Sequence, residues 1–449
     1  MDLQRLQRNC VIQVGKILLI RPDTDSIPEM PDAGQPMGLL YMAGALESFG
    51  YDVIIRDLNR QPIEPALVNE IRSGVISMVG ISMLSYVRKE PYELIGLIKE
   101  WNSSTKIVIG GVHATTLSTL LVNNFPIDAA VVGEGESTIV QLADLWINGR
   151  GNLKDIPGIA TFKYGLNSPA VLIKDLDSLK PAYHHTRVDW FGARMAKDRP
   201  GCVIDGIRLG DTSFFNISMS RGCIGRCKFC NAFEHWGCKV RFRSVKNIVD
   251  EIEFLYKNFG VNLIVFHDDS FALKRKLALE VCHEIVRRDL KILWYTAARV
   301  DSIDEELLIA MRRAGCFSIA YGVESGSEII LRNINKSTTK DQIRRAIKLT
   351  KDAGIKAYML LMIGNLGETD KTIIETANLV RETKPDIVSW VGRVMVFPGT
   401  EYSNILKHRG ELTDEYWLRA ENCAPTLYDN FDDHDINRWA GMIETTGGW

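Results

Sequence analysis

Three cysteines, Cys223, Cys227 and Cys230, fall in the stretch SRGCIGRCKFCN with the spacing C-x3-C-x2-C. Thiolates are soft ligands for iron–sulfur clusters and for zinc. Three on one short loop can each take one iron of a four-iron cluster, which leaves the fourth iron open to a further ligand. Gly222 and Gly225 give the loop freedom to curl around a bulky group. Arg221, Arg226 and Lys228 are expected to surround the thiolates with positive charge. The same spacing also supports a tetrahedral zinc site completed by Cys238 or His235, although structural zinc sites more commonly come as two separated pairs.

The composition around this loop is ordinary. The chain has 449 residues, 54 basic and 56 acidic side chains, 24% charged and 46% hydrophobic residues, and a formal charge of −2. That excludes wholesale disorder and leaves no general electrostatic footprint for nucleic acid or an anionic membrane. Nine cysteines are too dilute for a secreted disulfide scaffold. Residues 1–10 are polar and basic, and no run approaches the ~20 apolar residues of a spanning helix. The expected location is therefore the reducing cytoplasm, where clustered thiols serve metals or catalysis.

Two alternating series of apolar runs and amphipathic segments must position the loop. In residues 1–150, strands are expected at Lys16–Ile20, Asp52–Ile55, Met78–Ser82, Lys106–Ile109 and Ala129–Val132. Helices are expected at Gly38–Phe49, Ile63–Ser73, Pro91–Trp101 and Ser137–Ile147. This pattern predicts an α/β fold with an open, mostly parallel, Rossmann-like sheet that binds ligands at the carboxyl ends of its strands. Residues 151–212, with Pro157, Pro169, Pro181 and Pro200, read as a partly structured connecting segment with short strand-like pieces such as Gly158–Phe162. From 213 to 400, six strand–helix units predict a partial (β/α)6 barrel of the TIM type. Their strands are Phe214–Ser218, Asn262–Phe266, Ile292–Thr296, Ser318–Gly322, Ala357–Ile363 and Ile387–Val394. Residues 401–449 read as a short cap in which Trp417, Tyr428 and Trp439 are expected to pack. Cys282 and Cys316, in apolar contexts, are expected in the core.

The cysteine signature, with Phe229 before its last member, resembles the radical S-adenosylmethionine superfamily. The likeness continues at the end of each later strand: HDDSF (His267–Phe271), ARVD (Ala298–Asp301), GVESG (Gly322–Gly326), MIGNLGET (Met362–Thr369) and VFPGT (Val396–Thr400), with INKST (Ile334–Thr338) just beyond the fourth. The resemblance implies a [4Fe-4S] cluster on Cys223, Cys227 and Cys230 whose free iron binds S-adenosylmethionine. One-electron reduction then yields a 5′-deoxyadenosyl radical. It further implies that Asp268 or Asp269 meets the methionine ammonium and Arg299 its carboxylate. Glu324 and Ser325 would meet the ribose. Ile363, Gly364, Phe397 and Pro398 would flank the adenine, with Phe229 beside the site.

The first half is similar to the cobalamin-binding domain that precedes the barrel in some radical enzymes. That domain's pattern is Asp-x-His-x-x-Gly, then Ser-x-Leu, then Gly-Gly. Ser82-Met83-Leu84 and Gly110-Gly111 match, and Gly38 closes the first element, but Ala33 and Gln35 stand where Asp and His belong. The resemblance therefore implies base-off cobalamin with no histidine ligand, held by Gln35, Gly38, Ser82, Leu84, Gly110, Gly111, His113, Gly133 and Glu134. Methylthiotransferases, which carry a second cluster ahead of the barrel, are excluded because residues 1–200 contain only Cys10. The expected function is methylation of an unactivated carbon of a small molecule or natural product, with a flavodoxin or ferredoxin as electron donor. Ring contraction, oxidation or oxidative cyclisation is the alternative outcome, and a cluster or cobalamin sensor the alternative class.

Overall fold

The computed structural model describes residues 15–24, 34–186, 203–204, 207–237, 239–427, 429 and 431–444. Cys10, Cys202, Cys238 and Tyr428 lie outside them. In the first half, β1 (Lys16–Arg21), β2 (Asp52–Asp57), β3 (Ile76–Ser82), β4 (Lys106–Gly110) and β5 (Ala129–Val131) run parallel. β6 (Ile159–Thr161) and β7 (Gly165–Leu166) continue the sheet antiparallel, in the order β2-β1-β3-β4-β5-β6-β7. The strand order reverses between β1 and β3, the place where doubly wound sheets open a crevice for a ligand. β1 shows why the apolar runs read clearly. Its side chains alternate, so that Ile17 and Leu19 join the core on one face and Leu18 and Ile20 the core on the other.

Helices α1 (Met37–Ser48) and α5 (Glu136–Asn148) cover one face; α2 (Pro65–Arg72), α3 (Lys89–Trp101) and α4 (Val112–Asn124) cover the other. The periodicity did not reveal α4. Its sequence VHATTLSTLLVNN mixes apolar and small polar residues, and its backbone leaves helical geometry at Leu117. The segment 151–212 is more than a connection, since β6 and β7 belong to the first sheet. β6 falls within the strand-like piece Gly158–Phe162, whereas β7, with two residues, carries too few side chains to show a period.

The second half begins with a hairpin, β8 (Val203–Ile204) and β9 (Ile207–Arg208), and then β10 (Phe214–Ile217). A two-stranded ribbon follows, β11 (Ser220–Arg221) with β12 (Arg241–Phe242). The remaining strands are β13 (Leu263–Phe266), β14 (Leu293–Ala298), β15 (Cys316–Glu324), β16 (Lys356–Ile363) and β17 (Ile387–Arg393). β10 and β13–β17 form a parallel six-stranded sheet in chain order, with β10 and β17 at its edges. This is the partial barrel. Its helices are α6 (Ala232–Trp236), α7 (Val245–Phe259), α8 (Arg275–Arg287), α9 (Glu305–Arg313), α10 (Glu328–Asn333), α11 (Lys340–Asp352) and α12 (Asp370–Thr383). Several start at capping side chains that satisfy otherwise orphaned amides: Ser244 before α7, Asp304 before α9, and Thr339 and Thr369 before α11 and α12.

One continuous core runs from Ile17 and Leu39 in the first half to Phe215 and Ile217 in the second, and it includes Cys282 and Cys316. After α13 (Glu401–His408), the chain returns to the outer face of the first sheet, where Trp417 is fully buried. Arg88 fixes that return, lying 5.2 Å from the Tyr416 ring and 5.3 Å from the Trp417 ring while donating to the carbonyls of Arg419 and Cys423. α14 (Asp433–Glu444) buries Trp439 against Phe431. No helix among the described residues is long and apolar enough to cross a membrane.

Candidate functional site: a thiol loop beside a glycine-lined pocket

The β11–β12 ribbon closes the neck of an excursion, residues 222–240, that carries all three cysteines and α6. Gly222 enters it with φ of +108°, and a Cβ there would lie 3.3 Å from the Lys239 carbonyl, so the turn needs glycine. The loop is clasped from the barrel. Lys228 N donates to Ile334 O (3.0 Å), Asn335 Nδ2 to Arg226 O (2.7 Å), and Tyr402 N to Lys228 O (3.2 Å). Among the described residues, the groups of three ligand atoms within 4.8 Å of one another are Glu47–His184–His185 and Asp432–His434–Asp435; the three thiols are not such a group. Thiolates on a single zinc, at ~2.3 Å each, would sit about 3.8 Å apart. His235 does not complete a zinc site, because it lines the pocket of the first sheet.

The charge around the thiols differs from expectation. Arg221 turns away to Glu134 and Glu136, Lys228 pairs with Glu401, and Arg226 lies over the Phe233 ring. Lys336 and Arg299 are the cations that act on Cys227: burial raises its thiol, and these two oppose the rise. Burial also pushes Cys230 up to about 11. Arg299 is oriented by Asp301 through Nε (2.9 Å) and Nη2 (2.7 Å), with Ser337 Oγ at 3.1 Å. Its Nη1 faces the loop, 3.5 Å from where a Cβ on Gly225 would be.

Of the two adjacent aspartates, Asp268 is withdrawn. Its carboxylate accepts from Met219 N, Ser220 N and Ser220 Oγ at 2.6–3.0 Å. Burial nevertheless lifts it to about 6. It shapes the entry to the cysteine loop and is not free for an ammonium. Asp269 is exposed just beyond β13, yet enough protein surrounds its carboxyl to raise it, against His267 and the Gly222 amide.

Glu324 sits at φ +66°, an uncommon backbone for a side chain of its size, and pairs with Lys336 at 2.9 Å. Ser325 is fully buried, sharing its hydroxyl with Thr376 and accepting from Ser327 N, so it fixes a turn and does not reach a ribose. Ile363 is in the core. The Gly364 and Asn365 amides are both taken by Glu368, whose carboxyl burial lifts to about 7. Phe397 turns to Tyr86 of the first half with ring centroids 5.9 Å apart; Pro398 is buried and Phe229 packs against the core.

The first sheet opens a cavity of about 160 Å³. Gly38, Ser82, Gly110, Gly111, Gly133 and Glu134 of the expected set line it, together with Gly80, Gly135 and Met42, and Arg221, His235 and Trp236 close it from the second half. A Cβ at Gly38 would meet nothing within 4 Å, and one at Gly110 would be 4.0 Å from Val131, so both leave space for a ligand. Three expected residues are elsewhere. Leu84 bridges to Val87. Gln35 is buried, donating to Phe214 O (2.8 Å) and accepting from Asn216 N (3.0 Å) on the open edge of β10. His113 is buried behind the pocket, between Tyr92 Oη (2.8 Å) and Ser85 Oγ (3.0 Å). Tyr92 gives its own proton to Trp417 O (2.6 Å), so His113 Nε2 is the donor to Tyr92 and Nδ1 accepts from Ser85. Burial, reinforced by Arg88, lowers this imidazole to about 3.

The Radical SAM superfamily model matches residues 217–380, and the B12 binding domain model matches residues 29–143. An uncharacterized methyltransferase of Pyrococcus horikoshii is 30% identical over 423 residues, spanning 93% of this chain and 88% of its own length. The chain belongs to the cobalamin-binding radical S-adenosylmethionine enzymes. The anaerobic magnesium-protoporphyrin IX monomethyl ester cyclase of Rubrivivax gelatinosus is 29% identical, over 91% of this chain and 72% of its own. The fold matches the radical S-adenosylmethionine methyltransferase TsrM of Kitasatospora setae, solved with cobalamin and a [4Fe-4S] cluster (TM-score 0.70, 22% identity, 88% of this chain and 75% of that one).

Within this radical enzyme, sequence reasoning overlooked Lys336 and weighed His235 only as a zinc ligand. Both had a signal. Lys336 lies inside INKST, and His235 and Trp236 follow Cys230 within the same excursion.

Proposed function

We propose that this chain is a cobalamin-dependent radical S-adenosylmethionine methyltransferase acting on an unactivated carbon of a small organic molecule. The observation that carries the reading is the junction of the two halves. Loops leaving the carboxyl ends of both sheets meet there, and one excursion bears the three thiols and the wall of the glycine-lined pocket. When bound, the cofactors supply a hydrogen-abstracting radical and a transferable methyl group. The protein's part is to hold and orient. Cys223, Cys227 and Cys230 would bind three irons. Arg299, fixed by Asp301, would take the carboxylate of S-adenosylmethionine as a charge-assisted pair. Asp269 would take its ammonium, and Glu324 with Lys336 a polar group of the nucleoside. Gly38, Ser82, Gly110, Gly111 and Gly133 would receive the nucleotide tail of base-off cobalamin.

The cobalamin-binding unit is drawn through Leu166, the connection to residue 212, the radical unit from 213 to 400 and the cap from 401 to 449. A flavodoxin or ferredoxin would deliver the electron, and the reducing cytoplasm would keep the loop thiols available. The cyclase relative supports a second reading, oxidative ring closure at the same site. The test is anaerobic reconstitution with iron, sulfide and hydroxocobalamin, followed by absorption spectra and product analysis. Methylated product with 5′-deoxyadenosine, both lost in Cys227→Ala, is the expected result. Failure to retain cobalamin would sink the reading. Methylated product without 5′-deoxyadenosine would mean a non-radical transfer, and 5′-deoxyadenosine with a dehydrogenated product would favour ring closure.

A further inference from the structure

The excursion between β11 and β12 serves two sites. Its first residues hold Cys223, Cys227 and Cys230, and α6 follows directly, placing His235 and Trp236 in the wall of the glycine-lined pocket. Its neck is tied to the first half by buried charges. Arg221 donates to Glu134 Oε1 and Glu136 Oε1, and Arg241 to Glu134 Oε2, all at 2.6 Å. The Arg221 guanidinium also lies 5.4 Å from the Tyr41 ring and 5.3 Å from the Trp236 ring. Two buried polar atoms of residues lining this pocket have no hydrogen-bond partner among the described residues: His235 Nδ1 and Glu136 Oε2. A buried polar atom without a partner is costly, so a ligand that supplies one gains more than its contact area suggests.

We infer that polar groups of cobalamin's nucleotide tail bond to His235 Nδ1 and Glu136 Oε2, and that fixing α6 in this way holds the cysteine loop in its cluster-binding shape. His235 is thus a positioning residue for the cluster, and cobalamin and cluster bind cooperatively. By linkage, each raises the affinity for the other by the same factor. The inference rests on the cofactor reading above.

The test uses the full chain with reconstituted cluster. Cobalamin affinity is measured by absorption titration with and without the cluster, and cluster stability by the rate at which an iron chelator strips it with and without hydroxocobalamin. One hydrogen bond corresponds to roughly a three- to tenfold effect. Cobalamin should slow iron loss by that factor in the wild type. His235→Phe should abolish the slowing and weaken cobalamin binding. His235→Gln, which keeps a polar atom and guards against a folding defect in the Phe variant, should restore part of both. If the wild type binds cobalamin normally but loses iron at one rate regardless, the coupling is refuted and the cofactor reading stands. If it binds no cobalamin, the cofactor reading itself fails.

Discussion

Replacing Gln35 probes both how the halves are joined and where the cobalt is not. The Gln35 amide spans Phe214 O and Asn216 N as the peptide group of one more strand would, and so closes the open edge of β10. It cannot swing away, because Arg21 Nη1 holds Gly34 O at 2.5 Å and a Cβ on Gly34 would strike Asn216 Nδ2 at 2.2 Å. Gln35→Ala removes two hydrogen bonds worth about 1 kcal/mol each, and it leaves a buried carbonyl and amide that cost about 1–3 kcal/mol apiece when unpaired. Because these figures overlap, the expected loss is about 2–5 kcal/mol, or a fall of about 1 M in the urea midpoint for a slope of ~3 kcal/mol/M. Gln35→His should destabilise similarly, since an imidazole cannot span both backbone groups. It should also leave the electron paramagnetic resonance spectrum of bound cob(II)alamin without nitrogen superhyperfine splitting. A midpoint unchanged in Gln35→Ala, or a nitrogen splitting acquired in Gln35→His, would refute the clamp and return residue 35 to the face of the cobalt.

Other substitutions separate scaffold from ligand. Asp268→Ala should lower iron incorporation by freeing the Met219 and Ser220 amides, whereas Asp269→Ala, which frees only the Gly222 amide, should keep more of its iron and weaken S-adenosylmethionine binding about tenfold, the scale of one charged hydrogen bond; iron assay and equilibrium dialysis distinguish them. His113, lowered to about 3 when folded, carries fewer protons than in the unfolded chain, so stability should fall as pH drops from about 6.5 toward 3. The urea midpoint at pH 7.5 and pH 5 in wild type and His113→Gln checks this, the variant showing the shallower fall. Arg221→Met strands the buried carboxylate of Glu136 and leaves Glu134 to Arg241, and should cost about 3–5 kcal/mol in denaturation. Gly111→Ala places a Cβ 2.7 Å from Met83 O at φ +93°, and should reduce cobalamin retention on gel filtration.

What the sequence disclosed depended on the range of the signal. KILLI and its counterparts were legible because parallel strands bury both faces and must be apolar throughout. The thiol loop was legible because its ligands lie within one short stretch. Arg221 was misplaced because Glu134 and Glu136 lie more than 80 residues away, and nothing local distinguishes a guanidinium facing a thiolate from one turned to a distant carboxylate. Gln35 was assigned to the cobalamin by its place in a pattern. Its partners, on β10, lie about 180 residues on.

The motif residues follow a common rule. At the carboxyl end of a parallel strand, neighbouring side chains leave on opposite sides, so a motif of two adjacent polar residues has one pointing into the cleft and one turned back to the backbone. Asp269 and Glu324 are the first kind, although Asp269 also takes the Gly222 amide; Asp268 and Ser325, both withdrawn from solvent onto backbone amides, are the second. Glu368 does the same four residues beyond Gly364. The inward members build the turns that present the outward ones, and a loop carrying three thiols needs that support most. A site motif in such a barrel is therefore half ligand and half scaffold. Sequence identity alone does not reveal which half a residue belongs to; the destination of the neighbouring backbone amides does.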